Sequence, residues 1–195
     1  SVVPMVFVLP TNDGTDPVDI AIRNVTTTGF EMQQVEPNNL DGQHGVDMPV
    51  AWLAAEPGIA EMPDGTILQI GSIDTTTTVH HNPPFPDSGA WDTVPYAIPY
   101  SATPALLAQI QTMNSEVLDP ANTPSSPWTT AAANASRQET QLSLEQGEVN
   151  DGNPVSVPET IGYMAMGRRD SGFVDDNSTP IQFEAFVTPT NVEGW

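Results

Sequence analysis

The chain contains no cysteine and no lysine, and its only cations are Arg23, Arg137, Arg168 and Arg169. Without cysteine there is no disulfide framework, no thiolate metal site and no cysteine nucleophile. Against those four arginines stand 25 carboxylates, giving a formal net charge of −21 at pH 7. Such a surface repels phosphate backbones and anionic headgroups, which argues against nucleic-acid and membrane partners. No apolar run reaches the 18 or so residues that a membrane helix needs. Long helices are also scarce, because 20 prolines and 14 glycines interrupt most stretches and favour short strands and turns. An acidic face of this kind is best tolerated in high salt, where screening removes self-repulsion. The composition therefore suggests a secreted or cell-surface protein of prokaryotic, saline origin.

What is present in abundance is internal similarity. Pro4 to Val8 matches Pro104 to Ala108, and each run leads into a polar corner, at Thr11-Asn12 and at Thr112-Met113-Asn114. Pro17 to Asn24 matches Pro127 to Asn134 with the same internal spacing. Phe30 to Gln34 matches Thr140 to Leu144, Val50 to Ala54 matches Ile161 to Ala165, and Leu68-Gln69-Ile70 matches Ile181-Gln182-Phe183. Five matches in the same order imply two copies of one unit, here assigned to residues 1–88 and 89–195.

The duplication decides one ambiguous element. Leu106, Leu107, Ile110 and Met113 taken alone would suit a short helix. The matching stretch Val2 to Leu9 is β-branched and bounded by proline, which favours strand. Leu106, Ala108 and Ile110 then share one face, with Gln109 and Gln111 on the other. The stretch from Trp91 to Ile98 is expected to open the second copy as its first strand. The first copy has no equivalent, so it should lack an edge strand. The tail from Val187 to Trp195 leads toward a next repeat, as in a window cut from a longer array.

The aromatic strand Val94–Tyr100 running into Ala102-Thr103-Pro104, with Asn24 to Phe30 and Val50 to Ala54, resembles the H-type lectin fold. That resemblance implies an all-β chain of two tandem antiparallel β-sandwich modules, with similar modules forming adhesive parts of long secreted bacterial proteins. It also implies a sugar site, using an arginine where this chain has Ala21 and Ala131. A Trp-His pair is implied in loops that here read Val35-Glu-Pro-Asn-Asn and Gln146-Gly-Glu-Val-Asn. The fold pattern is carried without those sugar-binding residues.

Chemistry-bearing motifs are sparse. His44, His80 and His81 have no metal or triad spacing, and the last two are placed in a proline-rich linker with Asn82-Pro-Pro-Phe-Pro, as exposed polar residues. No Gly-x-Ser-x-Gly elbow, phosphate loop or dinucleotide fingerprint occurs. The best metal candidate is Asn12-Asp13-Gly14-Thr15-Asp16, where Asp13 and Asp16 offer hard oxygens to Ca²⁺. The competing reading is a tight Asn-Asp-Gly turn. Asn150 to Asn153 and Asp175 to Asn177 invite the same pair of readings. Asn24-Val-Thr26 and Asn134-Ala-Ser136 are glycosylation sequons at matching positions, or else structural turns repeated with the unit. Trp52, Tyr163, Phe30 and Met32 are assigned to the core by alternation, with Trp91 and Trp128 free to face a partner. Arg168-Arg169 is placed on an exposed turn, where it could meet an acidic patch of a neighbouring copy.

These features predict a non-enzymatic extracellular structural or adhesive module. Its partners would be neighbouring copies, with strand pairing supplying the missing edge. The alternative is a carbohydrate-binding module of an adhesin or polysaccharide-degrading enzyme.

Overall fold

The computed structural model describes residues 2–10, 18–36, 47–80, 88–115, 129–146, 154–167, 169–174 and 180–185, with backbone alone at 10, 80, 88 and in the last two segments. Among these residues the chain is all-β, with multiple sheets and no helix. The strands in order are β1 (Met5–Pro10), β2 (Asp19–Arg23), β3 (Glu31–Val35), β4 (Val50–Ala55) and β5 (Gly58–Glu61). They continue with β6 (Ile67–Thr75), β7 (Thr78–His80), β8 (Ser88–Gly89), β9 (Asp92–Pro95) and β10 (Ala105–Ile110). The last five are β11 (Thr129–Ala135), β12 (Glu139–Gln146), β13 (Glu159–Met166), β14 (Arg169–Val174) and β15 (Pro180–Ala185). The expected strand at Leu106 is therefore found, and His80 ends a strand rather than lying in a linker. The stretch expected to be a strand from Trp91 to Ile98 is shorter, since pairing stops at Pro95.

Two sheets pack face to face. One has the order β10-β13-β6-β5, and the other β11-β12-β7-β8 with β9 also on β12. Leu142 and Leu144 from β12 meet Ile110, Ile161, Tyr163 and Ala165 from the facing sheet, with Ile67 and Ile73 of β6 packed alongside. Leu142, Leu144 and Ile161 are fully buried, each contributing about 1.5–3 kcal/mol of burial free energy. The alternation in β12 follows from this arrangement: Thr140, Leu142, Leu144 and Gln146 are all buried. Tyr96 and Tyr100 close one end of the sandwich, their rings 5.0 Å apart edge to face. The Tyr100 hydroxyl donates to Ala165 O at 2.8 Å, and Gln69 brackets Ile98, accepting from its N–H and donating to its carbonyl. Burial pushes the Tyr96 hydroxyl up to about 12 and raises those of Tyr100 and Tyr163.

The sheets do not follow the 88/89 boundary expected from the repeats. β6 pairs along its length with β13, from Glu159↔Thr75 to Met166↔Leu68, and β7 pairs in parallel with β12. The chain crosses between the two sheets at Thr75–Thr78. There Thr75 donates to Asp92 and accepts from the Thr77 N–H, and Thr77 O accepts from Leu144 N and Ser143 Oγ. Close approach at β8 requires glycine: Gly89 has φ +116, and a Cβ there would lie 2.2 Å from Thr78 O.

Linker length gives the physical reason for the crossing. In the order β13-β6-β5 both contacts are antiparallel, so β5 runs parallel to β13. For β6 to sit on β4 in the same way, β5 would have to run parallel to β4. A parallel connection needs a crossover of about a dozen residues or more. Only Glu56 and Pro57 separate β4 from β5. The β5/β6 hairpin therefore cannot fold back onto the strand that precedes it, and it goes forward to β13.

The remaining elements are two-stranded: β1 with β4, β2 with β3, and β14 with β15. β1 lies against the outer face of the β10-β13-β6-β5 sheet, where Met5 and Phe7 meet Ile70 and Met164, flanked by Leu68 and Ala55. This covering explains why β13 is buried on both faces and reads as a nearly continuous apolar run.

Candidate functional site

β4 has the composition of an interior strand, Val-Ala-Trp-Leu-Ala-Ala, yet none of its residues is buried. Trp52 is 59% exposed, whereas Tyr163 at the matched position of β13 is 8% exposed. The assignment of Trp52 to the core is thus corrected, and so is that of Met32, which is exposed. The reason is what surrounds each strand. β13 lies between β10 and β6, while among the described residues β4 pairs with β1 alone. Trp52 is left to pack edge-on against Phe30, with centroids 5.5 Å apart. Phe30 is itself half-buried.

Beside this strand runs an apolar groove of about 290 Å³, lined by Phe7, Leu9, Trp52, Leu53, Leu107 and neighbouring backbone. Leu9, Leu53 and Leu107 are exposed along with Trp52. Contiguous apolar exposure on an unpaired edge marks an interaction surface more than a monomer's ordinary exterior. A more polar recess of about 400 Å³ separates the N-terminal segment from the corner at Gln111–Asn114, with Arg23, Asn24 and Thr160 on its walls. A third, of about 160 Å³, lies at Gly65–Ile67 and Ile98–Ala102. Neither gathers acid, base and nucleophile.

The corner itself is structural. Glu159, almost fully buried, accepts from Thr112 Oγ1 and from the backbone N–H groups of Asn114 and Ser115. Thr112 Oγ1 accepts in turn from Thr160 N at 2.9 Å.

The remaining candidates separate clearly. Asp13 and Asp16, the Ca²⁺ pair, lie outside the described residues, as do His44, His81, Trp128, Arg168, Asn150 to Asn153 and Asp175 to Asn177. Among the described residues no group of three or more His, Cys, Asp or Glu side chains converges to hold a metal ion. No helix there is long and apolar enough to cross a membrane. Arg169 begins β14. Ala21 faces Gln33 in the β2/β3 ladder, and Ala131 faces Leu144 and packs on the core.

The two sequons carry turn chemistry. Thr26 Oγ1 accepts from the N–H groups of Thr28 and Gly29 and donates to Gly29 O. Ser136 Oγ repeats each bond with Gln138 and Glu139. Asn24 adopts φ 52, a left-handed conformation that asparagine tolerates. Its side chain, followed by that of Arg23, holds the Glu31 carboxyl below its ordinary range, and Arg23 Nε donates to Glu31 at 2.8 Å.

The same correspondence extends to two of the ladders, while the β2/β3 register is displaced by one residue from that of β11/β12, Arg23↔Glu31 against Ala133↔Leu142. Val8 pairs with Trp52 as Ala108 pairs with Tyr163. Gly58↔Ile70 and Glu61↔Ile67 match Ser171↔Phe183 and Val174↔Pro180. Sequence reasoning missed the exposed edge of β4, for which the signal was an apolar strand preceding a two-residue link that ends in proline. No family model, curated protein or solved structure matches the chain.

Proposed function

We propose that the chain is a non-enzymatic structural and adhesive repeat module of an extracellular, cell-surface protein or filament. One observation carries the reading: the β1/β4 and β5/β6 ladders before residue 75 have counterparts after residue 104 with the same strand register, and the β5/β6 hairpin is seated on the later copy. A unit that hands a hairpin forward to its successor makes a chain held together by backbone ladders and not by linkers alone. Load applied along such a chain is resisted by a β6–β13 ladder running from Glu159↔Thr75 to Met166↔Leu68. The acidic surface, with a formal net charge of −21, keeps an otherwise edge-exposing protein soluble. The H-type lectin likeness enters this reading as the sandwich expected of each unit, without a sugar site. Secretion and a saline habitat belong to the same proposal, supported by the charge balance.

Single-molecule stretching between the termini tests it. The β5-to-β13 unit should open in one cooperative step that releases at most roughly 360–390 Å, the extended length of residues 58–166 at about 3.3–3.6 Å each. Gradual extension without a step, or sugar binding that raises the unfolding force, would count against a mechanical role.

A further inference from the structure

We infer that the open edge of β4 is the docking site for the β14/β15 hairpin of a second copy of this chain, in one fixed register. The inference rests on the repeat-module reading above and names the partner and the contact.

The template lies within the same molecule. β13 receives β6 with Met164 opposite Ile70, Ala165 opposite Gln69 and Met166 opposite Leu68. The matched residues of β4 are Leu53, Ala54 and Ala55, and those of β15 are Ile181, Gln182 and Phe183. Carrying the register across sets Leu53 opposite Phe183, Ala54 opposite Gln182 and Ala55 opposite Ile181. An apolar residue meets an apolar residue wherever the template has such a pair, and the Ala–Gln pair recurs unchanged.

Both surfaces are open. Among the described residues β4 pairs only with β1, and β15 only with β14. The linker argument applies again, because only Gly167 and Arg168 separate β13 from β14. The hairpin therefore cannot fold back on β13, whose far edge β6 already fills. β4 has no charged residue between Val50 and Ala55, so the edge lacks the charges that natural sheets use to prevent pairing. The apolar groove beside it, with Leu9 at 73% exposure, continues the covered area. Acceptor and donor are different surfaces, so the contact is head to tail and gives open chains rather than a closed dimer.

Cysteine pairing reads the register directly, since the native chain has none. Two populations are prepared, one carrying Leu53→Cys and the other Phe183→Cys, then mixed and oxidised. Directly opposed antiparallel residues lie within disulfide reach. The mixed pair should cross-link rapidly, whereas Leu53→Cys with Gln182→Cys, one residue out of register and on the other face, should cross-link at least tenfold more slowly. Sedimentation of the unmodified chain should show a ladder of species that lengthens with concentration and with added salt. Leu53→Lys should abolish the ladder with an unchanged β-sheet circular dichroism spectrum.

Association with equal cross-linking to both cysteines, or cross-linking of Leu53→Cys to itself, would overturn this docking and leave the mechanical reading intact. A chain that stays monomeric at millimolar concentration in high salt would also overturn it. The stretching experiment uses one molecule and does not register docking, so the two readings fail separately.

Discussion

Gln111 brackets Val6 across the sequence: Val6 N–H donates to Gln111 Oε1 and Gln111 Nε2 donates to Val6 O, both at 2.8 Å. Val6 is completely buried and Gln111 nearly so. One side-chain amide therefore satisfies both polar groups of a strand residue on the side away from its ladder. Loss of either bond strands a buried backbone group, at about 1–3 kcal/mol each. Gln111→Leu should destabilise the docked N-terminal hairpins by about 2–4 kcal/mol and accelerate hydrogen exchange at Val6. Gln111→Glu should be at least as harmful, since a carboxylate accepts from Val6 N–H but cannot donate to its carbonyl. Urea titration with exchange at Val6 measures both.

Glu159 organises the corner after β10 through Thr112, Asn114 and Ser115. Glu159→Ala removes the acceptor for all three and should cost about 2–4 kcal/mol. Met113 and its neighbours should become susceptible to proteolysis while the β12/β13 core persists. Limited digestion with mass spectrometry reads the cut site.

Asp19 makes the acid response of the first half unusual. Its side chain is largely withdrawn from solvent, and burial raises the carboxyl from 3.8 to about 6, with the Ile20 N–H bond pulling partly back. Between those values the folded state binds more protons than the unfolded one, so stability falls as pH rises through the window. The β2/β3 hairpin should therefore gain up to about 3 kcal/mol on going from pH 7 to pH 4. Asp19→Asn should stabilise the protein at pH 7 and flatten that slope. The matched position in the second half holds Thr129, buried and uncharged. Thermal melts from pH 4 to 7 on both forms decide the point.

Tyr163 covers Gly71 so closely that a Cβ on Gly71 would lie 2.8 Å from the tyrosine hydroxyl. Gly71→Ala should displace the ring and destabilise the β6–β13 ladder by about 1–3 kcal/mol. The tyrosine near-ultraviolet signal should change with it. The same substitution at Gly29, where nothing lies within 4 Å of the added carbon, should leave that signal unchanged.

The strand content was legible because proline, glycine and alternation leave little room for anything else, and Leu106 to Ile110 could be settled by comparing the two copies. The matching sequons were legible as turns for the same reason: Thr26 and Ser136 perform one task twice. The partner of each strand was not legible. Alternation assigns a face to Ile70 and to Trp52, but it does not say which neighbour covers that face. Here the decision lay in Glu56-Pro57, a link too short for a parallel return. That choice separates a buried Tyr163 from an exposed Trp52. Gln111, read as an outward polar residue, is buried because β1 lies over it.

Residue-resolved native-state hydrogen exchange tests the central claim most directly, namely that the cooperative unit runs from β5 to β13 across the midpoint of the chain. The amides of residues 67–75 should share one opening free energy with those of 105–110 and 159–166, while residues 50–55 open at lower cost. Common protection of 50–55 with 67–75, distinct from that of 159–166, would contradict it.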